Sequence, residues 1–222
     1  MKGDLMFSKF SEDMDSLWEK YYEKMSKANG DYLIKDGVDP VKTQQYFSQT
    51  VKVLFVLKES NETGVSENER KEKSIFDKNG WFANYGSGDR AMITKMMKMY
   101  RYICDIKEGI DTPTKSKTVS AQDRYSFAFI NINKHGNGEQ TANEKKIEDC
   151  IKNDGNLLAE QINLLNPDVI VFGVKAHEKD FRTYVVGKLN DTCVKLVVTP
   201  HFKRMGYAVF EEEVRRKYGL TE

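Results

Sequence analysis

Four short, nearly uninterrupted apolar runs constrain this chain more than any other feature: VKVLFVL (51–57), YSFAFIN (125–131), DVIVFG (168–173) and VKLVVT (194–199). A strand with one face in water alternates polar and apolar residues, so a run that stays apolar predicts a strand covered on both faces. Helical segments lie between the runs. Met92, Ile93, Met96, Met97, Tyr100, Ile103 and Cys104 recur at three- and four-residue spacing, and so do Ile147, Cys150, Ile151, Leu157, Leu158, Ile162 and Leu165, the latter ended by Asn166-Pro167. The Met-rich face of the first reads as core. A short helix is expected over 176–189 and a last one over 208–219. Strands separated by helical crossovers pair in parallel, with helices on both faces. The expectation is an α/β chain, a three-layer α/β/α sandwich around a four-stranded parallel sheet.

With 222 residues and 39% hydrophobic content, the chain can build one sizeable core, and we read residues 1–222 as a single α/β domain. Phe7, Phe10, Met14, Leu17, Trp18, Tyr21, Tyr22 and Met25 mark a long helix ended by Asn29-Gly30, so residues 1–50 form an N-terminal helical region packed on the domain. Residues 60–80 carry many charges, with Val65, Ile75 and Phe76 as their only large apolar groups, and read as a mobile loop. No apolar run reaches the ~18 residues of a membrane span and the start lacks a secretory stretch, which predicts a cytoplasmic protein with no membrane partner. The three cysteines, Cys104, Cys150 and Cys193, lack pairing or metal-ligand spacing, so no metal or other cofactor is expected. A net charge of +1 gives no overall attraction to nucleic acid, so any DNA contact must come from a local basic patch. A monomer is expected.

Ligands of open parallel sheets bind beyond the carboxyl ends of the strands. The first run is followed by Lys58, Glu59, Ser60 and Asn61, and the second by Asn131, Asn133, Lys134 and His135. Gly173, Lys175 and His177 follow the third, and Thr199, Pro200, His201 and Phe202 the fourth. A carboxylate, amides and imidazoles therefore converge. No GxGxxG or P-loop glycine pattern follows any strand, which argues against dinucleotide and P-loop nucleotide binding.

The order VLFVLKESN, FAFININK, a helix containing Cys150, LLNPDVIVFGVKAH and VVTPHFKRMGY resembles the uracil-DNA glycosylase superfamily over residues 50 to 205. The most similar stretch, NPDVIVFGVKA, matches that family's "P-x-V-I-V-x-x-G-x-x-A" strand. The resemblance implies the fold and a site. Glu59 stands where the family has an Asp or Asn that orients water and stabilises an oxocarbenium-like sugar, with Ser60 and Asn61 beside it. Asn131, with Asn133 as alternate, stands where the family reads the Watson-Crick edge of an extruded base. His201 stands where the family's His donates to uracil O2 as charge develops on the leaving base. An extruded base also needs a stacking platform, for which Trp81, Phe82 and Tyr85 are candidates. Lys203 and Arg204 would meet phosphates, with Met205 as a wedge. The chain departs from the family in lacking the first motif's Gly and Pro and a Ser after His201.

The resemblance implies a metal-independent hydrolase acting on uracil or a related damaged base in DNA, single-stranded DNA included. The alternative is a catalytically altered member that binds a nucleobase, nucleotide or nucleic acid, and a nucleoside hydrolase or transferase is a third. Plain structural roles also exist for these residues: Glu59 paired with Lys58 or Arg204, Asn131 capping a strand-end turn, the aromatics packed in the core, and His135 and His177 as turn or helix-start residues.

Overall fold

Runs that are apolar at nearly every position need a layer on each side, and the chain supplies both. The computed structural model describes residues 2–25, 32–59, 72–76, 90–110, 126–136, 143–200 and 206–219. In chain order the elements are α1 (Lys2–Met25), β1 (Tyr32–Lys35), α2 (Thr43–Phe47), β2 (Val53–Glu59), β3 (Glu72–Ser74), α3 (Arg90–Lys107) and β4 (Ala128–Asn133). They continue with β5 (His135–Gly136), α4 (Glu144–Leu165), β6 (Val169–Phe172), α5 (Glu178–Tyr184), β7 (Lys195–Val198) and α6 (Tyr207–Lys217). The four apolar runs form one all-parallel sheet in the order β4-β2-β6-β7. Successive strand residues face opposite sides. Phe55 and Leu57 accordingly share a core with Ile93, Met96 and Ile103 of α3 and Phe210 and Val214 of α6. Leu54 and Val56 share the other with Ile147, Ile151, Leu158 and Ile162 of α4 and Phe181 of α5. Helices therefore cover both faces. None among the described residues is long and apolar enough to cross a membrane.

Two strands end later than the apolar runs suggest. The β2–β4 ladder continues from Leu54↔Ala128 through Leu57↔Asn131 to Glu59↔Asn133, because backbone pairing does not stop where side chains become polar. Glu59 and Asn133 are therefore strand residues and not loop residues.

A second sheet, absent from the sequence-based reading, runs in the order β3-β1-β5. Its central strand lies within the N-terminal region expected to be helical. β3 and the turn after it occupy residues 72–76, inside the stretch expected to be a mobile loop. Ile75 is 0% exposed in the α3-side core, and the Phe76 ring centroid lies 5.6 Å from that of Phe129. Two apolar residues are enough to anchor this piece; the rest of 60–80 lies outside the described residues. After β1 the chain runs antiparallel along the free edge of β4. Gly37 exchanges two backbone hydrogen bonds with Phe129, at 2.8 and 2.9 Å, from a φ of 121° that favours glycine. α1 lies over α4, burying Met14, Leu17, Trp18 and Tyr21 with Leu33 of β1.

α4 starts at an Asn143 cap whose side chain accepts from the Lys146 N–H, and ends at Asn166 in the left-handed region, φ 44°. Its interior glycine is a packing requirement. A Cβ on Gly155 would stand 2.6 Å from the Tyr184 carbonyl oxygen of α5. Alanine in a helix interior is favoured over glycine by about 1 kcal/mol, whereas overpacking costs roughly 1–3 kcal/mol. Because the obstruction is backbone, overpacking dominates. Gly155→Ala is expected to lower the unfolding free energy measured in urea by about 1–2 kcal/mol, and a stabilised variant would show that α5 yields freely.

Candidate functional site

In chain order the parallel strands take the spatial order 2-1-3-4, so the connections that leave β2 and β6 diverge. The β2 connection passes through α3 to β4, and the β6 connection passes through α5, on the other face, to β7. This divergence is the topological switch point, where a crevice opens beyond the carboxyl ends of the strands. β2, with Glu59 at its end, and β6 border it, while β4, with Asn131 and Asn133, flanks β2 on its other side.

Asn131 is the most informative of the candidate residues. It is 1% exposed, and neither Oδ1 nor Nδ2 of its side chain has a hydrogen-bond partner among the described residues. Strand alternation turns it to the side filled by Phe127 and Phe129. The side chain is no turn cap. Asn133, fully buried as well, is engaged structurally, with its Oδ1 3.7 Å from the Cys150 thiol of α4. Of the two amides, Asn131 is the one whose hydrogen-bonding atoms are unsatisfied among the described residues.

The backbone of Asn131, in contrast, is tightly held. Its N–H donates to Asp36 Oδ2 at 2.7 Å, on the edge where a further strand would otherwise pair. The other Asp36 oxygen accepts from Lys134 Nζ at 2.6 Å and from Gln161 Nε2 at 3.0 Å. The ion pair is fully enclosed, and the Lys134 ammonium lies 5.7 Å from the Trp18 ring centroid. Burial pushes the Lys134 ammonium below its ordinary range, opposed by the Asp36 carboxylate. Burial also raises the Tyr21 phenol, helped by Asp154 and Asp36, so it stays neutral. Asp36, Gln161 and Tyr21 were not among the sequence candidates. Only Lys134, placed just after a strand, carried a local signal.

Lys58, one possible partner for Glu59, instead pairs with Glu144 in the first turn of α4. The second Glu144 oxygen lies 2.8 Å from His177 Nε2. The bond to Lys58 is the main influence holding the Glu144 carboxyl below the usual range, with the His177 bond adding to it. His177 ends a 3-10 turn and precedes α5, the helix-start role expected of it. Thr199, at the end of β7, donates its N–H to Phe172 O at 2.9 Å. Glu59 is described in its backbone alone. Ser60, Asn61, Trp81, Phe82, Tyr85, His201, Lys203, Arg204 and Met205 lie outside the described residues.

Comparison with known proteins finds no significant match to a family model, a curated protein or a solved structure.

Two stability predictions follow from this arrangement. An unpartnered buried amide costs roughly 1–3 kcal/mol. Asn131→Leu, similar in volume, is therefore expected to raise the unfolding free energy in urea by about 1 kcal/mol; a loss would assign the amide to packing. Asp36→Asn leaves a buried ammonium without its carboxylate, and breaking such a pair costs about 3–5 kcal/mol. In that variant Lys134 loses its proton in the folded state before the unfolded chain does, at about pH 10.4. The unfolded state then binds more protons, so stability rises with pH over the window below that value. Thermal unfolding at pH 7 and pH 9.5 is expected to recover part of the loss at the higher pH.

Proposed function

We propose that this chain is a uracil-DNA glycosylase-like hydrolase that cleaves the N-glycosidic bond of uracil or a related damaged base in DNA. The observation that carries the reading is the buried Asn131 amide, open at both atoms and held by a rigid backbone beside the end of β2. An amide in this state matches a ligand edge with one donor and one acceptor side by side, as uracil N3–H and O4 present. Glu59 is the next candidate on the adjacent strand: the β2–β4 register pairs Leu57 with Asn131 and Glu59 with Asn133. Neighbouring strands lie about 4.8 Å apart, so these backbones are within reach of one ligand.

In this mechanism Glu59 orients the attacking water and stabilises positive charge on the sugar as the bond to the base lengthens. Asn131 holds the extruded base by its edge. His201 donates to the O2 atom, where negative charge accumulates on the departing base, and water completes the sugar. Trp81, Phe82 and Tyr85 supply stacking candidates, with Ser60 and Asn61 near the water; Lys203, Arg204 and Met205 would engage the strand. The chemistry requires no metal or organic cofactor.

A second reading, a nucleobase- or nucleic-acid-binding module without base excision, is favoured by the net charge of +1. One experiment separates the two. Purified protein is incubated with single- and double-stranded oligonucleotides containing uracil, hypoxanthine or mismatches, and abasic sites are scored. Release from at least one substrate is expected, reduced about 10²–10³-fold by His201→Ala, the loss typical of removing an oxyanion donor. No abasic product on any substrate would sink the hydrolase reading. Retention on DNA that weakens steeply with salt would then favour the binding module.

A further inference from the structure

We propose that Glu144 is a positioning residue for the strand-end crevice: its two carboxylate oxygens clamp Lys58 of β2 and His177 of the turn after β6 across the switch point, fixing the backbone that carries Glu59. The part concerning Glu59 rests on the hydrolase reading above; the clamp does not.

The case starts from where the ladder runs out. β2 and β6 pair from Val53↔Val169 to Val56↔Phe172, and one further bond, from the Gly173 N–H to the Val56 carbonyl at 3.0 Å, closes that seam. On its other side β2 stays paired to β4 as far as Glu59↔Asn133. The last residues of β2 thus have a backbone neighbour on the β4 side and none recorded on the β6 side among the described residues. That open side is the crevice.

Glu144 spans it. Lys58 follows Leu54 and Val56 in strand alternation, so it belongs to the α4 face, where its ammonium meets Glu144 Oε1. From the other bank His177 brings Nε2 to within 2.8 Å of Oε2. Lys58 and His177 are mostly buried, whereas Glu144 is 56% exposed in its side chain, so the carboxylate forms a bridge at the crevice rim with both abutments set into the protein. Asn143 caps the helix that presents it, through the Lys146 N–H. Nearby Glu148 has its own partner in Lys152. Adjacent strand residues face opposite sides, so anchoring Lys58 on the α4 face also sets the rotation of the strand at Glu59.

An ion pair at an exposed rim contributes little to global stability. The clamp therefore predicts a local effect. Backbone amide exchange is followed in the full chain for Glu144→Ala, Lys58→Met and the double variant. Residues 57–59 and 173–177 are expected to exchange at least about tenfold faster in Glu144→Ala, with 53–56 unchanged, and 57–59 to do so in Lys58→Met. Unchanged exchange at both segments, or acceleration spread evenly over the sheet, overturns the clamp. Base release from the best oligonucleotide substrate tests positioning. A kcat fall of about tenfold with KM within about twofold is expected in each single variant, and no further fall in the double, since the two act as one unit. Unchanged kcat with accelerated local exchange overturns the positioning role. A wild-type chain that releases no base defeats the hydrolase reading, while exchange still decides the clamp.

Discussion

The buried carboxylate of Asp36 is the interaction on which the rest of the architecture depends. It gathers the Asn131 N–H from β4, the Lys134 ammonium just beyond that strand, and the Gln161 amide from α4. A lone carboxylate in such a place would be prohibitively desolvated; an ion pair with further hydrogen bonds to its oxygens is tolerable. The arrangement joins the second sheet, the face of α4 and the edge of the main sheet at one point. α1 closes over it with Trp18 and Tyr21, so the N-terminal region serves as the lid of a polar core.

This has a direct bearing on the site. The hydrogen-bonding capacity of Asn131 is divided: its backbone donor is satisfied by Asp36, while its side-chain amide has no partner among the described residues. A recognition group works best when its own frame is rigid and its reading atoms are uncommitted. The charge of Asp36 is offset by Lys134, so the Asn131 strand is held by a nearly neutral pair. On the opposite bank of β2, Glu144 does by side chains what the sheet no longer does by backbone. The lower end of the same seam is tied as well, by Asp168 accepting from the Lys52 N–H at 2.7 Å.

Much of this could be read from the residue order, and the failures have physical causes. The four parallel strands were legible because burial on both faces leaves no room for polar alternation. Their far ends were not, since Lys58, Glu59 and Asn133 sit on a ladder that continues past the apolar run. β1 was invisible: YLI is three apolar residues, and the Asp-Gly that follows reads as a turn. Asp36 carried no local mark, because its partners lie 98 and 125 residues away. Asn131 was legible as the polar residue that ends an apolar run at the functional end of the sheet. Glu144 was not, since an acidic residue in the first turn of a helix is commonplace for dipole reasons alone.

The segment from Ile34 to Gly37 has a consequence for how the molecule keeps to itself. β4 is one of the two outermost parallel strands, and its free side would offer a row of donors and acceptors to any extended chain. Ile34 takes the Lys134 carbonyl, Asp36 takes the Asn131 N–H with a side chain, and Gly37 takes both groups of Phe129. A carboxylate replaces one rung of backbone, so the covering segment leaves the edge after a few residues and does not become a fifth strand with an exposed flank of its own. The sheet is thereby terminated on that side, and the same residue that holds the Asn131 backbone also denies the edge of β4 to a neighbouring molecule.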